Sequence, residues 1–84
     1  MWEVHLTDEF QRWFMELTES LQVDVLTAIN LVQARGPNLA RPYSDSVKGS
    51  KVVSNLKELR IQHAGTPYRV FYCFNQSREA VLLC

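Results

Sequence analysis

The stretch that decides the fold is KVVSNLKELRIQHAGTPYRVFYC, residues 51–73. Within it, the apolar side chains of Leu59 and Ile61 alternate with charged and polar ones, which predicts a strand with one buried face. The segment 64–67, AGTP, predicts a turn, because Gly accepts a positive φ and Pro is excluded from a central strand. A second alternating run over residues 68–74 predicts a second strand. The stretch therefore predicts a β-hairpin.

The same alternation assigns the side chains of the hairpin to two faces. His63 falls on the side of Leu59 and Ile61, and the opposite side of that strand carries Glu58, Arg60 and Gln62. In the second strand, one face holds Tyr68, Val70, Tyr72 and Phe74, and the other holds Arg69, Phe71, Cys73 and Asn75. A turn at 76–78 and a third strand over 79–84 extend the hairpin to an antiparallel meander.

Upstream of the hairpin, residues 2–6 alternate as a short strand, and two helices follow. Thr7 with Asp8 and Glu9 is a typical helix start, and a second helix is predicted from Ser20 or Leu21 to Arg35, where Gly36-Pro37 ends it. Apolar residues recur at helical spacing in both segments. These elements predict an α+β fold with an N-terminal strand and a two-helix hairpin packed on one face of a small, mostly antiparallel sheet. The 84 residues are enough for a single domain, 1–84.

Charge is divided unevenly along the chain although the formal net charge is zero. Residues 1–34 carry one basic and six acidic side chains, and residues 35–84 carry eight basic and three acidic ones. Such a division favours an anionic partner for the second half, or it reflects two solvated surfaces. No apolar run is long enough to cross a bilayer, no signal peptide is recognised, and Cys73 and Cys84 lack metal-ligand spacing. These features favour a cytoplasmic protein without a membrane partner.

The segment 36–50, GPNLARPYSDSVKGS, is rich in turn residues and is predicted to be a loop. A loop of this length is either functional or a passive crossover between helices and sheet. It contains Arg41 and Lys48, which with Lys51 are predicted to bind RNA.

No cofactor motif or metal-binding motif is recognised in the sequence, and the second half has only three scattered carboxylates. If RNA is cleaved, the expected route is therefore metal-independent attack of the ribose 2′-OH on the adjacent phosphate. That route needs cations to stabilise charge on the phosphate oxygens. Arg60 and Arg69 are suited to this role because a guanidinium binds two phosphate oxygens and stays charged.

The run NLKELRIQHAGTPYRVFY, residues 55–72, resembles the signature of HigB/RelE-type toxins of bacterial toxin–antitoxin modules, particularly the phage-derived Gp49-like branch. Its most specific parts are Glu58-Leu59-Arg60 and the YRVFY strand, residues 68–72. The resemblance implies a RelE-like microbial ribonuclease fold, ribosome-dependent cleavage of mRNA, inhibition of translation and neutralisation by a cognate antitoxin.

The resemblance also implies roles for individual residues. Arg69 matches a position that contacts the scissile phosphate, and Arg60 matches the basic residue of the ELR strand. Lys57 lies near the position of catalytic lysines in some relatives, and Tyr72 is a further catalytic candidate. Glu58 replaces a basic residue, so it is either a general base or a salt-bridge partner.

Related toxins usually continue beyond the position of Cys84 into a basic segment and a helix with further catalytic residues. The resemblance therefore implies that residues 1–84 are C-terminally incomplete and have weak or no nuclease activity. The alternatives are a non-catalytic RNA-binding module and a module that binds an antitoxin-like protein. Direct DNA binding is not expected, because neither helix has a basic recognition face.

Overall fold

Two helices lie against one face of a five-stranded sheet in the computed structural model, which describes residues 2–47 and 56–83. In chain order the elements are β1 (Glu3–Leu6), α1 (Asp8–Met15), α2 (Glu19–Arg35), a short 3-10 helix (Gly36–Asn38), β2 (Ser44–Ser46), β3 (Lys57–His63), β4 (Thr66–Phe74) and β5 (Glu79–Leu82). The predicted RNA-binding residues Lys48 and Lys51 lie outside the described residues. The predicted α+β class is confirmed.

The sheet has the strand order β1-β5-β4-β3-β2. β1 runs parallel to β5, and every other pair of neighbouring strands is antiparallel. The first strand of the chain therefore forms one edge of the sheet, beside the last strand. The two helices connect β1 to the antiparallel strands. This arrangement is the mostly antiparallel sheet that the sequence predicts.

Both helices begin at a threonine, as the capping preference of this residue predicts. The Thr7 hydroxyl accepts a hydrogen bond from the backbone N–H of Phe10, and the Thr18 hydroxyl accepts one from Leu21. α2 ends at Gly36, whose φ of 55° and ψ of −135° form a conformation that glycine tolerates because it has no Cβ atom. The second helix thus begins one to two residues earlier than predicted and ends where predicted.

The core lies between the helices and the inner face of the sheet. Side chains with almost no exposed surface come from both layers: Phe10, Leu21, Val25, Ala28, Ile29, Val32, Leu39, Leu59, Ile61, Val70, Tyr72, Ala80 and Leu82. Alternation along β3 and β4 buries every second side chain and exposes its neighbours. The opposite face of these two strands therefore remains open to solvent.

The structure corrects two local predictions. The predicted loop over residues 36–50 contains the 3-10 helix and β2, whose polar sequence SDS has no apolar alternation that would indicate a strand. The hairpin turn consists of Ala64 and Gly65 alone, both with positive φ, as in a type I′ turn. Pro67 lies in β4 opposite Gln62. The residues of β4 that pair with β5 begin at Tyr72, so β5 does not extend along Pro67. Pro is tolerated there because no ladder bond is lost.

None of the described helices is long and apolar enough to cross a membrane.

Candidate functional site

Arg60 and Arg69 stand directly opposite each other on β3 and β4, on the open face of the sheet. The backbone N–H of Arg60 donates to the Tyr43 carbonyl on the β2 side, so Arg60 and Arg69 form a non-hydrogen-bonded pair. In such a pair the two Cα atoms approach to about 4.5 Å. The fold therefore places two permanent positive charges side by side.

Glu58 holds the two arginines together. Its carboxylate accepts hydrogen bonds from Nε and Nη2 of Arg60 at 3.3 and 3.1 Å, and its second oxygen lies 3.7 Å from Nη1 of Arg69. The Glu58 side chain is only 13% exposed, whereas that of Arg69 is 65% exposed. The carboxylate thus lies beneath the guanidinium groups and offsets their mutual repulsion.

Asp45 on β2 extends this cluster. Its Oδ2 atom lies 2.7 Å from Arg41 and 3.5 Å from Arg60. The hydrogen bond from Arg41 lowers the pKa of Asp45, with a smaller contribution from the Ser46 backbone N–H, and the same carboxylate raises the pKa of Arg41. We refer to Arg41, Asp45, Glu58, Arg60 and Arg69 as the arginine face. Its three arginines and two carboxylates leave one net positive charge.

A shallow cleft of about 200 Å³ adjoins the arginine pair, lined by Arg60, Ile61, Gln62, Pro67, Tyr68 and Arg69. Phe71 lies on the same face, directly opposite Glu58, and is partly exposed. An exposed aromatic ring beside arginines is a surface on which a nucleobase can stack. The alternation in the sequence indicated this orientation of Phe71, but neither Phe71 nor Asp45 was predicted as a site residue.

Tyr72 lies on the opposite, inner face of the sheet and has no exposed surface. Its hydroxyl lies 2.6 Å from the hydroxyl of Ser44, which is also buried. Burial raises the pKa of Tyr72, partly offset by the Ser44 hydrogen bond. In this structure Tyr72 cannot reach a phosphate on the arginine face. Its burial does not favour the predicted catalytic role, and the contact with Ser44 indicates a structural one.

Lys57 also lies on the inner side, opposite Tyr72. Its ammonium group donates to the Pro37 carbonyl at 3.1 Å and lies 6.0 Å from the centre of the Phe74 ring. Lys57 and Arg41 line a cavity of about 380 Å³, together with Pro37, Leu39, Ala40, Ser44, Asp45 and Ser46. The four predicted catalytic residues are thus divided between two faces: Arg60 and Arg69 on one, Lys57 and Tyr72 on the other.

His63 points toward the helices, as its position in the alternation predicts. Its Nδ1 atom lies 2.7 Å from Oδ2 of Asp24 on α2. This contact joins the end of β3 to the second helix, away from the arginine face. Sequence spacing could not indicate the contact, because the two residues are 39 positions apart.

No group of three or more His, Cys, Asp or Glu side chains that could hold a metal ion occurs within residues 2–47 and 56–83.

Comparison with known proteins gives one family and two named relatives. The family model of phage-derived protein Gp49-like (DUF891) matches residues 12–84. The Mycobacterium tuberculosis protein named "Putative toxin HigB3" is 40% identical over 80 residues, which cover 95% of this chain and 68% of that protein. "Putative toxin HigB2" of the same organism is 31% identical over 77 residues, covering 90% of this chain and 38% of that protein. No solved structure gives a significant match.

Proposed function

Because the chain belongs to the phage-derived Gp49-like family, we propose that it acts as the toxin of a toxin–antitoxin system. The proposed activity is ribosome-dependent, metal-independent cleavage of mRNA, which inhibits translation in the cytoplasm. The similarity to two proteins named as HigB toxins supports the toxin role. The observation that carries the ribonuclease activity is the arginine pair, Arg60 opposite Arg69 beside an open cleft.

In the proposed reaction, the ribose 2′-oxygen loses its proton and forms a bond to the adjacent phosphorus. The bond from phosphorus to the 5′-oxygen of the next nucleotide breaks, and that oxygen takes up a proton. The products are a 2′,3′-cyclic phosphate and a 5′-hydroxyl. Negative charge on the phosphate oxygens increases in the transition state, and two guanidinium groups at hydrogen-bonding distance stabilise that charge more than they stabilise the ground state.

The other residues of the arginine face have supporting roles in this proposal. Glu58 positions Arg60 and Arg69, and the ring of Phe71 stacks on a base next to the scissile phosphate. Arg41, Lys48 and Lys51 contact phosphates farther along the RNA. Tyr72 is left out of the catalytic set because of its burial. Lys57 is left out because its ammonium group donates to the Pro37 carbonyl, although it lines one cavity with Arg41 and Asp45. The cognate antitoxin is the proposed protein partner.

A non-catalytic RNA-binding module is the second candidate function. The observation that favours it is the ion pairing of both carboxylates on the arginine face: Asp45 is bound by Arg41, and Glu58 by Arg60. Neither is a free base in the described part of the chain. Such a module would bind RNA with strong salt dependence and release no cleavage products.

The test is incubation of the purified protein with ribosomes and a defined mRNA in the presence and absence of EDTA. We expect cleavage in both conditions. The 5′-hydroxyl ends are identified by their resistance to direct 5′-ligation, and the cyclic-phosphate ends by end-specific phosphatase treatment. Retention of RNA without new ends would support the non-catalytic module. Cleavage that EDTA abolishes under conditions that preserve the ribosomes would contradict the metal-independent route.

A further inference from the structure

The cavity beside β2 is larger than the cleft at the arginine pair, and the proposed reaction does not use it. Its volume is about 380 Å³, against about 200 Å³ for the cleft. All three residues of β2 line it, and β2 is the edge strand of the described sheet. We refer to it as the edge cavity. Its lining consists of Pro37, Leu39, Ala40, Arg41, Ser44, Asp45, Ser46 and Lys57.

The lining of the edge cavity combines apolar residues from the segment 37–40 with two cations and one carboxylate. The carboxylate of Asp45 is paired with Arg41 at 2.7 Å, so Lys57 is the cation in excess. The ammonium group of Lys57 donates to the Pro37 carbonyl at 3.1 Å. An ammonium group has three N–H donors, so this contact alone does not satisfy it. The edge cavity therefore suits a ligand that has an apolar body and a negative charge.

A nucleotide has this combination of properties, because a flat base and a ribose are joined to a phosphate. A cavity of about 150 Å³ holds a benzene-sized group, so the edge cavity has room for a base together with its ribose. The hydroxyl of Ser46 can also donate or accept a hydrogen bond at a base edge. An acidic side chain of a protein partner is smaller and would leave much of the volume unfilled. The lining therefore favours a nucleotide over an acidic peptide.

Asp45 links the edge cavity to the arginine face. Its Oδ2 atom lies 2.7 Å from Arg41, which lines the cavity, and 3.5 Å from Arg60, which stands opposite Arg69. One carboxylate oxygen thus holds together a guanidinium group from each of the two surfaces. A polyanion that follows the guanidinium groups from Arg69 through Arg60 to Arg41 arrives at the cavity, where Lys57 is the next cation.

We propose that the edge cavity is a nucleotide subsite for the RNA strand whose scissile phosphate lies at Arg60 and Arg69. The base and ribose of one flanking nucleotide occupy the cavity, and its phosphate binds Lys57 and Arg41. Lys57 is thus a residue that binds substrate away from the reacting atoms. This subsite rests on the proposed function, because it takes from that function the RNA strand at the arginine pair.

The test is NMR titration of the full 84-residue chain with a single-stranded RNA of about six nucleotides in which every ribose is 2′-O-methylated. The methyl group removes the attacking hydroxyl, so binding is measured without cleavage. We expect shifts of the Ala40 methyl and Ser46 amide signals in the cavity, together with the ring signals of Phe71 on the open face. Shifts of Phe71 alone would overturn the subsite and leave the proposed function standing. No shift at either surface would contradict both.

Two further ligands distinguish the possible occupants. A free nucleoside 5′-monophosphate should bind at least about tenfold more weakly than the RNA, because it cannot engage the arginine face at the same time. A glutamate peptide with the same number of charges as the RNA should leave the Ala40 and Ser46 signals in place. Equal affinity for the mononucleotide would indicate a site for free nucleotides, and equal shifts by the peptide would indicate attraction by charge alone. Either result would overturn the proposal.

Lys57→Gln tests the cation of the subsite. We expect it to weaken binding of the RNA about fivefold to tenfold, since it removes one charged hydrogen bond, whereas Arg12→Gln on α1 should have no effect. In cleavage assays Lys57→Gln should raise KM and leave kcat within about twofold, as expected for a group that binds the ground state and the transition state equally. A loss of kcat of about 100-fold with unchanged KM would place Lys57 at the reacting atoms and overturn the proposal.

A second pair of variants tests the volume of the cavity. Ala40→Phe adds a ring at an exposed position that lines the cavity, and Ala34→Phe adds the same ring at an exposed position of α2 that does not line it. Both replaced side chains are exposed, so both variants should fold. We expect Ala40→Phe to weaken binding of the RNA about fivefold or more and Ala34→Phe less than about twofold. Equal effects of the two variants would overturn the proposal.

Discussion

Arg60 of β3 and Arg69 of β4 are directly opposed across the sheet, and Glu58 lies within 3.1 Å of the first and 3.7 Å of the second. Like charges in opposed positions destabilise a sheet unless an anion offsets them. Here the anion is a nearly buried carboxylate, so the outer sides of both guanidinium groups remain available. A phosphate that approaches the open face meets two adjacent cations, of which Arg60 is held by hydrogen bonds to Glu58.

The first prediction concerns Arg69. Arg69→Ala should reduce ribosome-dependent mRNA cleavage by about 100-fold or more, because in the proposed reaction this group stabilises charge on the phosphate oxygens. It should also reduce the slope of log K for RNA binding against log salt concentration by an amount that corresponds to about one phosphate contact. Single-turnover cleavage and binding at several salt concentrations measure the two effects. Arg12→Ala, an exposed arginine on α1, is the matched control and should change neither. Equal growth arrest by the wild-type and Arg69→Ala proteins on inducible expression would refute the phosphate-binding role.

The second prediction separates the two roles left open for Glu58. If Glu58 positions the arginines, Glu58→Gln should reduce cleavage by less than about tenfold, whereas loss of a general base costs about 10²- to 10⁴-fold. The positioning role also predicts that the Glu58→Gln variant binds RNA about two- to fivefold more tightly than the wild type. The reason is that the substitution removes a negative charge that competes with phosphate for the two arginines. Glu9→Gln on α1 changes the net charge by the same amount as Glu58→Gln and is the control for an effect of net charge. A loss of cleavage beyond 10²-fold with unchanged RNA binding would identify Glu58 as the base instead.

The order of strands and helices could be predicted because alternation and caps are local signals. The alternation also indicated which side chains share a face with Arg69, including Phe71, and it placed Tyr72 beside the buried Val70. Tyr72 is nevertheless one of the predicted catalytic residues. Its partner Ser44 belongs to β2, a strand of polar residues that exists through pairing with β3. Such tertiary pairing has no local signal in the sequence, and the same holds for the contact between His63 and Asp24.

The third prediction concerns the buried hydroxyl pair. Tyr72→Phe leaves the Ser44 hydroxyl buried without its partner, and Ser44→Ala does the same to Tyr72, so each should cost about 1–3 kcal/mol of unfolding free energy. The double variant should lose less than the sum, because no hydroxyl of the pair then remains unpaired. Urea denaturation of the four proteins measures this coupling. Additive losses would show that the two hydroxyls do not interact.

The third prediction extends to pH, because the pKa of Tyr72 is raised by burial. Below the ordinary tyrosine pKa of about 10, the phenol is neutral in both the folded and the unfolded states. At higher pH the unfolded chain ionises first, because burial opposes ionisation in the folded state, so the free energy of unfolding should fall as pH rises through the folded pKa. Tyr72→Phe should show a smaller fall than the wild type. Tyr43→Phe, which changes an exposed tyrosine, is the control and should follow the wild-type curve.

The fourth prediction assigns His63 to stability. His63→Ala should lower the free energy of unfolding by about 1 kcal/mol, because it removes the hydrogen bond that joins β3 to Asp24 of α2. It should leave mRNA cleavage unchanged, since the imidazole faces the helices. Gln62→Ala, one position earlier and exposed on the other face, should have little effect on stability. A large loss of cleavage in a stably folded His63→Ala protein would contradict this assignment.

The last prediction uses two glycines with positive φ, Gly36 at 55° and Gly65 at 80°. A Cβ atom at Gly36 would overlap the indole ring of Trp2, whereas one at Gly65 would project into open space. Gly65→Ala should therefore cost only the conformational penalty of about 1–2 kcal/mol. Gly36→Ala adds a steric overlap, and the ψ of −135° at Gly36 lies outside the left-handed helical region that other residues can adopt, so this variant should cost about 2–4 kcal/mol in total. Urea denaturation of both variants measures the difference, and equal losses would mean that neither the Trp2 ring nor the backbone at Gly36 resists the added Cβ atom.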